Sequence, residues 1–128
     1  MAELGRYHSL TVLEEQPHGL YLDDGDGGKL LLPRKQIPSG TQIGDELKVF
    51  VYLDSEDRPI ATTQRPKIQL HQVAWLTVID ANKVGAFLDW GLAKDLFVPF
   101  SEQKTRLEKG DSCAVYLYID VSGRLVGS

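Results

Sequence analysis

Residues 19–23, Gly-Leu-Tyr-Leu-Asp, return at residues 85–89 as Gly-Ala-Phe-Leu-Asp, 66 positions further along the chain. The same offset carries on to both sides of this motif without a gap. Between residues 10–62 and 76–128 it gives 15 identities in 53 positions, and a further 10 pairs are apolar in both copies. Similarity at a fixed offset over this length indicates an internal duplication.

The duplication predicts two domains, 1–64 and 65–128, although a chain of 128 residues would ordinarily be read as one domain. Within each domain, apolar residues alternate with polar or aromatic ones, as at 47–54 and 113–120. This period of two is typical of a strand with one buried face. Shorter runs predict further strands, with counterparts 66 residues on, near residues 8–14, 18–23, 29–32 and 58–63.

No stretch of the chain shows a convincing helical period, and the segments after Pro33 and Pro99 have room for one short helical turn each. Five short strands interrupted after the third are the layout of the OB-fold, a partly open barrel. We therefore predict an all-β chain of two tandem five-stranded OB-fold barrels. Gln64-Arg65-Pro66-Lys67 is the predicted junction, because its proline disfavours a continuous ladder.

The composition is that of a soluble globular protein, with 42% hydrophobic and 25% charged residues. No apolar run is long enough to span a membrane, and residues 1–6 lack the features of a secretory signal. The single cysteine, Cys113, excludes an internal disulfide and a cysteine-based metal site, and it is expected to be a small buried apolar residue. A cytoplasmic location without a membrane partner is expected.

The net charge of −4 argues against salt-driven binding to duplex nucleic acid. The charge is unevenly divided, however. Residues 1–64 contain 6 basic and 11 acidic side chains, a net −5, whereas residues 65–128 contain 8 basic and 7 acidic side chains, a net +1. The second domain therefore remains compatible with a nucleic-acid partner that it binds by stacking.

Catalytic patterns are scarce in this sequence. The three histidines, His8, His18 and His71, have no metal-ligand spacing, and no phosphate-binding glycine loop is present. The acidic turn 24–28 lacks the alternating oxygen ligands of a calcium loop, so a solvated turn is the favoured interpretation. A nuclease would need clustered carboxylates and arginines in one cleft. We therefore expect no enzyme and no cofactor.

Aromatic residues are the stronger functional signal. Tyr21 and Phe87 alternate with apolar core positions on the second strand of each domain, so their rings should point outward, where bases stack on OB-fold proteins. For these two residues, RNA contact is favoured over packing. For four further aromatic residues on the fourth strands, packing against another domain or partner is favoured: Phe50, Tyr52, Tyr116 and Tyr118.

An aspartate and an arginine four residues apart recur in both copies, as Asp54/Arg58 and Asp120/Arg124. A tight turn would bring each arginine back beside its aspartate. A guanidinium held in this way is oriented for phosphate or base edges. The alternative is a surface ion pair that merely stabilises the turn, and the chemistry alone leaves both interpretations open.

Together, residues 84–89, 95–102, 110–111 and 123–128 resemble an S1-type RNA-binding domain, which is an OB-fold, and the first domain is a more divergent copy. Residues 30–33, 54–63 and 85–91 together resemble the N-terminal half of the conserved virulence factor B family, bacterial RNA-binding proteins. The resemblance covers essentially the whole chain. It implies that a third S1-type domain and a winged helix belong to the full-length protein and that the chain is part of a longer one.

The resemblance also implies which residues contact RNA. By position, Phe87, Asp120 and Arg124 match the RNA-contacting aromatic, Asp and Arg of S1-type domains, and the first domain offers a corresponding set of three: Tyr21, Asp54 and Arg58. Two positions depart from the family pattern. The usual histidine after the third strand is Pro99 or Pro33, and the aromatic before the glycine is Val84 or His18.

The resulting hypothesis is a non-catalytic module that binds single-stranded RNA, chiefly through the second barrel. Phe87 would stack on a base and Arg124, oriented by Asp120, would bind phosphate or a base edge. Lys83, Lys94 and the junction at 65–67 would add weak phosphate attraction. The alternative is a protein-interaction scaffold. It would use exposed aromatic side chains drawn from Phe50, Tyr52, Trp75, Tyr116 and Tyr118.

Overall fold

A computed structural model of the protein describes residues 2–103 and 105–128, which form two compact units. The first unit ends at Arg65, and the second runs from Pro66 to Ser128. The described residues contain β-strands and two short 3-10 turns but no α-helix, and no helix among them is long and apolar enough to cross a membrane. The predicted all-β class with two tandem five-stranded barrels is confirmed.

The two units have the same order of elements. The first consists of β1 (Arg6–Gln16), β2 (Gly19–Asp23), β3 (Lys29–Pro33), a 3-10 turn (Arg34–Gln36), β4 (Glu46–Leu53) and β5 (Pro59–Thr62). The second consists of β6 (Val73–Ala81), β7 (Gly85–Asp89), β8 (Leu96–Pro99), a 3-10 turn (Phe100–Glu102), β9 (Ser112–Ile119) and β10 (Leu125–Gly127). As predicted, both turns follow the prolines that end the third strands.

Strand pairing closes the first unit into a barrel of order β1-β2-β3-β5-β4. The closure is a parallel pairing in which Leu31 of β3 lies opposite Ile60 of β5. In the second unit the hydrogen-bonded order is β10-β9-β6-β7-β8, and β10 also contacts β8. Among the described residues of the second unit, however, no strand pairing joins β8 to β10.

The first strand of each unit serves two partners. β1 pairs with β4 through Arg6–Thr11 and then with β2 through Val12–Gln16, and the register shifts just after Val12. β6 does the same, with its shift just after Val78. A bulge at the change of partner bends the strand and leaves one extra residue out of the ladder. Leu13 and Ile79, both 41% exposed, occupy these positions.

The core of each barrel is formed by the alternating apolar residues that the sequence indicated. Val49 and Val51 of β4 are buried, as are Val115 and Leu117 of β9. Outside this alternation, the two units differ. Phe50 and Tyr52, on the outer parity of β4, are 0% and 7% exposed, whereas Tyr116, at the equivalent position to Phe50, is 40% exposed.

A glycine begins the second strand of each unit because the neighbouring strand leaves no room for a side chain. A Cβ on Gly85 would meet the carbonyl oxygen of Val98 and would lie 2.6 Å from a ring carbon of Phe97. Gly19 faces the carbonyl oxygen of Leu32 in the same way. A backbone atom in a paired strand cannot move aside, so both positions require glycine.

Replacing Gly85 with alanine should therefore lower the free energy of unfolding of the second unit by about 1–3 kcal/mol, the range typical of overpacking. Both tryptophans of the chain, Trp75 and Trp90, lie in this unit. Tryptophan fluorescence during urea unfolding therefore reports on it directly. Val84→Ala, at an adjacent site that is 56% exposed, is the matched control and should change stability by less than about 0.5 kcal/mol. Equal unfolding midpoints for Gly85→Ala and wild type would contradict the packing argument.

Candidate functional site

The outer face of β7 and β8 in the second unit presents a pair of phenylalanine rings. Phe87 lies directly opposite Phe97 in the antiparallel register, and both side chains are half-buried. Their ring centroids are 5.2 Å apart, at an interplanar angle of 36°. Two adjacent, partly exposed rings on a sheet surface form an apolar platform of the kind on which bases stack.

Sequence reasoning identified Phe87 but missed Phe97 and Phe100. Phe97 alternates with the buried residues Leu96 and Val98, and this parity alone would have placed its ring outward. Phe100 follows β8, is 49% exposed, and donates its amide hydrogen to the carbonyl oxygen of Val84. An exposed aromatic ring thus lies near the start of β7, beside the position where Val84 departs from the expected aromatic.

The Asp-x-x-x-Arg turn of the second unit is closed by the Asp120 carboxylate. Its Oδ1 atom accepts hydrogen bonds from the amides of Ser122 (2.9 Å) and Arg124 (3.0 Å) and from the Ser122 hydroxyl (2.6 Å). The Arg124 Nε atom lies 3.7 Å from Asp120 Oδ2 and donates to Ser122 Oγ at 3.1 Å. The turn therefore brings the two side chains together, as the spacing predicted.

The first unit repeats this turn with a more neutralised arginine. Arg58 Nε donates to Asp54 Oδ2 at 3.1 Å, and its Nη2 atom lies 3.0 Å from Glu56 Oε2. The Asp54 Oδ1 atom accepts the amides of Glu56 and Arg58, as Asp120 does in the second unit. Two carboxylates therefore hold Arg58, whereas among the described residues the Asp120 carboxylate alone is paired with Arg124, and at a greater distance.

Both turn aspartates have lowered pKa values. For Asp120, the hydrogen bond from the Ser122 hydroxyl is the main cause, and it outweighs the effect of partial burial, which acts in the opposite direction. For Asp54, burial by itself would raise the pKa. The hydrogen bonds from the amides of Arg58 and Glu56, together with the Arg58 charge, lower the pKa by more than burial raises it. Both carboxylates are therefore strongly ionised at neutral pH.

Tyr21, the counterpart of Phe87 in the first unit, is held by polar neighbours. Its hydroxyl lies 2.8 Å from His18 Nε2, and the two rings meet edge to face with centroids 5.6 Å apart. The Lys29 ammonium lies 6.0 Å from the ring centroid, and Leu31 is the cross-strand neighbour on β3. The first unit therefore has a single ring in place of the phenylalanine pair.

Phe87 and Arg124, two predicted site residues of the second unit, lie on opposite sides of β8. β8 contacts both β7 and β10, so Phe87 on β7 and Arg124, just before β10, are separated by β8 with Phe97 on it. Two strand spacings correspond to roughly 10 Å between the backbones of β7 and β10. Lys94 is half-buried in the loop between β7 and β8, where its carbonyl oxygen accepts the Trp90 indole N–H at 2.6 Å.

The charge around this platform is mixed. The Arg106 guanidinium lies 6.0 Å from the Phe100 ring centroid. At the other end of β7, Asp89 pairs with Lys67 at 3.3 Å. Burial, followed by repulsion from Asp89 and Asp80, raises the pKa of Asp95. A nucleic-acid strand would therefore meet an arginine at one end of the platform and a mixture of carboxylates and lysines at the other.

A second aromatic surface lies on the outer face of β6 and β9. Val73 and Tyr116 are cross-strand partners, and Trp75 lies opposite Ala114. Val73 is 66% exposed and Trp75 is 71% exposed. The rings of His71, Tyr116 and Tyr118 follow one another at centroid distances of 6.1 and 6.3 Å with nearly parallel planes. We refer to Val73, Trp75 and Tyr116 as the β6–β9 patch.

The four aromatics for which packing was favoured have different environments. Phe50 and Tyr52 are buried, and Tyr7 packs edge-on against Phe50 with ring centroids 5.5 Å apart. Tyr118 is half-buried and donates its hydroxyl hydrogen to Glu102 at 2.9 Å. Tyr116, in contrast, remains open. Phe50 and Tyr52 are therefore buried side chains, whereas the outer face of β9 is only partly buried.

Cys113 is half-buried rather than fully buried, because it lies at the start of β9 on a groove of about 400 Å³. Burial, with a smaller effect from Asp111, raises the pKa of its thiol. The thiol therefore stays protonated at neutral pH, which disfavours nucleophilic chemistry. Among residues 2–103 and 105–128, no group of three or more His, Cys, Asp and Glu side chains comes together to hold a metal ion.

The lowered pKa of Asp120 predicts a pH dependence of stability. Because the pKa is below its ordinary value of 3.8, this carboxylate stabilises the fold above that pH, and the contribution is lost as the pH falls through the folded value. Asp120→Asn keeps an oxygen for the amide hydrogen bonds but removes the charge. We expect it to lower stability by about 0.5–1 kcal/mol at pH 7 and much less at pH 3.

Urea unfolding followed by tryptophan fluorescence at both pH values measures this difference. Glu108→Gln removes one exposed negative charge from the loop before β9 and is the matched control. A difference between wild type and Asp120→Asn that stays the same from pH 7 to pH 3 would contradict the assignment.

Known proteins of similar sequence come from several bacteria. The chain is 29% identical over 126 residues to the uncharacterized protein YitL of Bacillus subtilis, a match that covers 94% of this chain and 42% of that protein. It is 25% identical to conserved virulence factor B of Staphylococcus epidermidis over 97% of this chain and 44% of that protein. The chain thus spans less than half the length of these relatives, and the similarity to conserved virulence factor B proteins inferred from its motifs is confirmed.

A solved structure has the same fold. It is described as a multidomain protein with nucleic acid binding domains from Streptococcus pneumoniae, and it matches with a TM-score of 0.83 at 23% identity over 98% of this chain and 45% of that one. The model of the S1 domain matches twice, at residues 4–64 and 72–128, one match for each barrel. These two matches together cover nearly the whole sequence, and the chain belongs to the S1 domain family.

Proposed function

We propose that the chain is a non-catalytic module that binds single-stranded RNA, mainly through the second barrel. The observation that carries this proposal is the half-exposed Phe87–Phe97 pair on β7 and β8, with Arg124 just before β10, the strand that contacts β8. Flat rings stack on bases of any sequence, and a nearby guanidinium binds phosphate or base edges. Membership of the S1 domain family and the similarity to a protein described as having nucleic acid binding domains support this partner class.

Each residue of the site has a distinct part in this proposal. Phe87 and Phe97 stack on one or two bases, and Arg124 binds the adjoining phosphate or base edge. Asp120 holds the turn and keeps the guanidinium near the platform through its 3.7 Å contact. Phe100, with the Arg106 guanidinium 6.0 Å from its ring centroid, extends the surface at the start of β7, and Lys94 adds positive charge.

The first barrel contributes less in this proposal. It has Tyr21, Asp54 and Arg58 at the matching positions, but the Tyr21 hydroxyl is occupied by His18 and Arg58 is neutralised by two carboxylates. Residues 1–64 also have a net charge of −5. We therefore expect the first barrel to contact RNA more weakly than the second barrel does.

The double variant Phe87→Ala/Arg124→Ala should bind single-stranded RNA about 10- to 100-fold more weakly than wild type, because a stacked base contributes about 1–3 kcal/mol. Fluorescence anisotropy with a labelled oligouridylate at low salt measures the affinity. The corresponding variant of the first unit, Tyr21→Ala/Arg58→Ala, should have a smaller effect. If both double variants bind as tightly as wild type, the site assignment is wrong.

The second candidate function is a protein-interaction scaffold, and the β6–β9 patch is the observation that favours it. Trp75 and Val73 are the most exposed large apolar side chains in any strand of the described chain. Exposed apolar patches of this kind often mark protein interfaces. The scaffold hypothesis predicts that RNA affinity is negligible and that the patch is covered by a protein.

Quenching of tryptophan fluorescence by acrylamide distinguishes the two functions. Trp75 is 71% exposed and Trp90 is 3% exposed, so Trp75 accounts for most of the quenching. Saturating RNA should leave the quenching of Trp75 almost unchanged, since the proposed site is on β7 and β8. Protection of Trp75 by RNA would move the binding site to the β6–β9 patch. Protection that grows with protein concentration, without RNA binding, would favour the scaffold.

A further inference from the structure

A small pocket in the first unit has an unusual lining for an acidic domain. It has a volume of about 320 Å³ and is lined by Tyr7 of β1, Lys48 of β4, and Thr63 and Arg65, which follow β5. Tyr7 and Thr63 are half-buried, whereas Lys48 and Arg65 are exposed. The lining thus combines two cations with two hydroxyl groups.

No carboxylate of the described residues lines this pocket, although residues 1–64 contain 11 acidic side chains. Glu46 is two residues before Lys48 on the same face of β4, yet it is not part of the lining. The side chains that line the pocket therefore have a net positive charge, while residues 1–64 as a whole are negative. Such a local reversal of charge is the feature that would attract an anion.

Most of the cations that the structure describes in the first unit are paired with carboxylates, unlike the two that line the pocket. Four of its cations are paired with carboxylates: Arg6 with Glu3, Lys29 with Glu14, Arg34 with Glu15, and Arg58 with Asp54 and Glu56. Within the described part of this unit, three cations have no carboxylate within 4.0 Å, namely Lys35, Lys48 and Arg65. Two of these three converge on one pocket.

The wall of the pocket is held in place by packing. The Lys48 ammonium lies 5.1 Å from the centroid of the Tyr7 ring, a cation–π contact, and the same ring packs edge-on against the fully buried Phe50. The Thr63 hydroxyl donates to the carbonyl oxygen of Gln36. The Tyr7 hydroxyl has no hydrogen-bond partner among the described residues and can donate to a ligand.

We propose that this pocket binds a phosphate group. Lys48 supplies a compact point charge, Arg65 supplies the planar fork that fits two phosphate oxygens, and the Tyr7 hydroxyl supplies a third donor. The volume exceeds what one phosphate needs, so part of an attached sugar also fits. The phosphate belongs either to an RNA backbone or to a free phosphate compound, and both present the same anion. The proposal does not depend on the Phe87 platform, because it concerns the other barrel.

The test compares three variants of the full 128-residue chain: Lys48→Gln/Arg65→Gln, the matched control Lys35→Gln, and Phe87→Ala/Arg124→Ala. Lys35 is an exposed, unpaired cation of the same unit that lies outside the pocket. Backbone amide shifts in NMR spectra are followed during titration with inorganic phosphate, with a single-stranded oligouridylate, and with a poly-glutamate peptide. RNA affinity is also measured from about 50 to 200 mM salt, because binding through phosphates weakens as the salt concentration rises.

For wild type, phosphate should shift the amides around Lys48 and Arg65 saturably, and Lys48→Gln/Arg65→Gln should abolish the shifts while Lys35→Gln retains them. If the phosphate belongs to RNA, the same pocket variant should bind the oligonucleotide about three- to tenfold more weakly, and its salt slope should fall by about 0.7 for each phosphate that the pocket no longer neutralises. If it belongs to a free phosphate compound, RNA affinity should stay unchanged while the phosphate shifts disappear.

Three results would overturn the phosphate site. The first is the absence of saturable amide shifts at the pocket when phosphate is added. The second is a reduction of these shifts in Lys35→Gln as large as that in Lys48→Gln/Arg65→Gln. The third is that poly-glutamate shifts the same amides as much as phosphate does, which would indicate a general anion surface. Loss of RNA binding in Phe87→Ala/Arg124→Ala with intact phosphate shifts would support both sites. Intact RNA binding in that variant would contradict the assignment of RNA binding to the Phe87 platform, but it would not contradict the phosphate site.

Discussion

In each unit, one carboxylate closes the turn that leads into the last strand. The last strands, β5 and β10, span only four and three residues, so each forms few hydrogen bonds with its neighbouring strands. Asp54 and Asp120 accept two amide hydrogens each from the turns that precede these strands. Because hydrogen bonds to a charged acceptor are stronger than neutral ones, the aspartate fixes the point at which the chain returns to the sheet.

The same carboxylate also holds the arginine, so the part of each barrel that completes the fold also positions the candidate binding group. This coupling limits how the two copies can diverge. The aspartate and arginine are retained in both, and the differences accumulate around them, in Glu56 against Ser122 and in Tyr21 against Phe87. The side chains of the candidate site can thus differ between the two copies while the turn before the last strand is preserved. The first copy has a neutralised arginine, and the second has a pair of rings.

Periodicity predicted the fold because inward positions obey one rule, burial in a barrel core. Outward positions obey no such rule, so the sequence could not predict which outward side chains are buried and which are exposed. Phe50 and Tyr116 occupy equivalent outer positions, yet one is fully buried and the other is 40% exposed, since burial there depends on what covers the strand. Phe97 was predictable from its parity with Leu96 and Val98. The pocket at Lys48 and Arg65 was not, because it joins residues from three distant segments of the first unit.

The seam between β8 and β10 has a consequence for motion. In the first barrel, Leu31 and Ile60 are paired across the equivalent seam, whereas the described residues of β8 and β10 are in contact without such pairing. A seam without backbone pairing is where a sheet opens most readily and where amide hydrogens exchange first. Phe97 lies on β8, on one side of this seam, and Arg124 lies just before β10, on the other side. A nucleotide bound to both residues would therefore connect the two strands. Ligand binding would then slow the opening of the barrel, because contacts through the ligand would take the place of the β8–β10 backbone pairing.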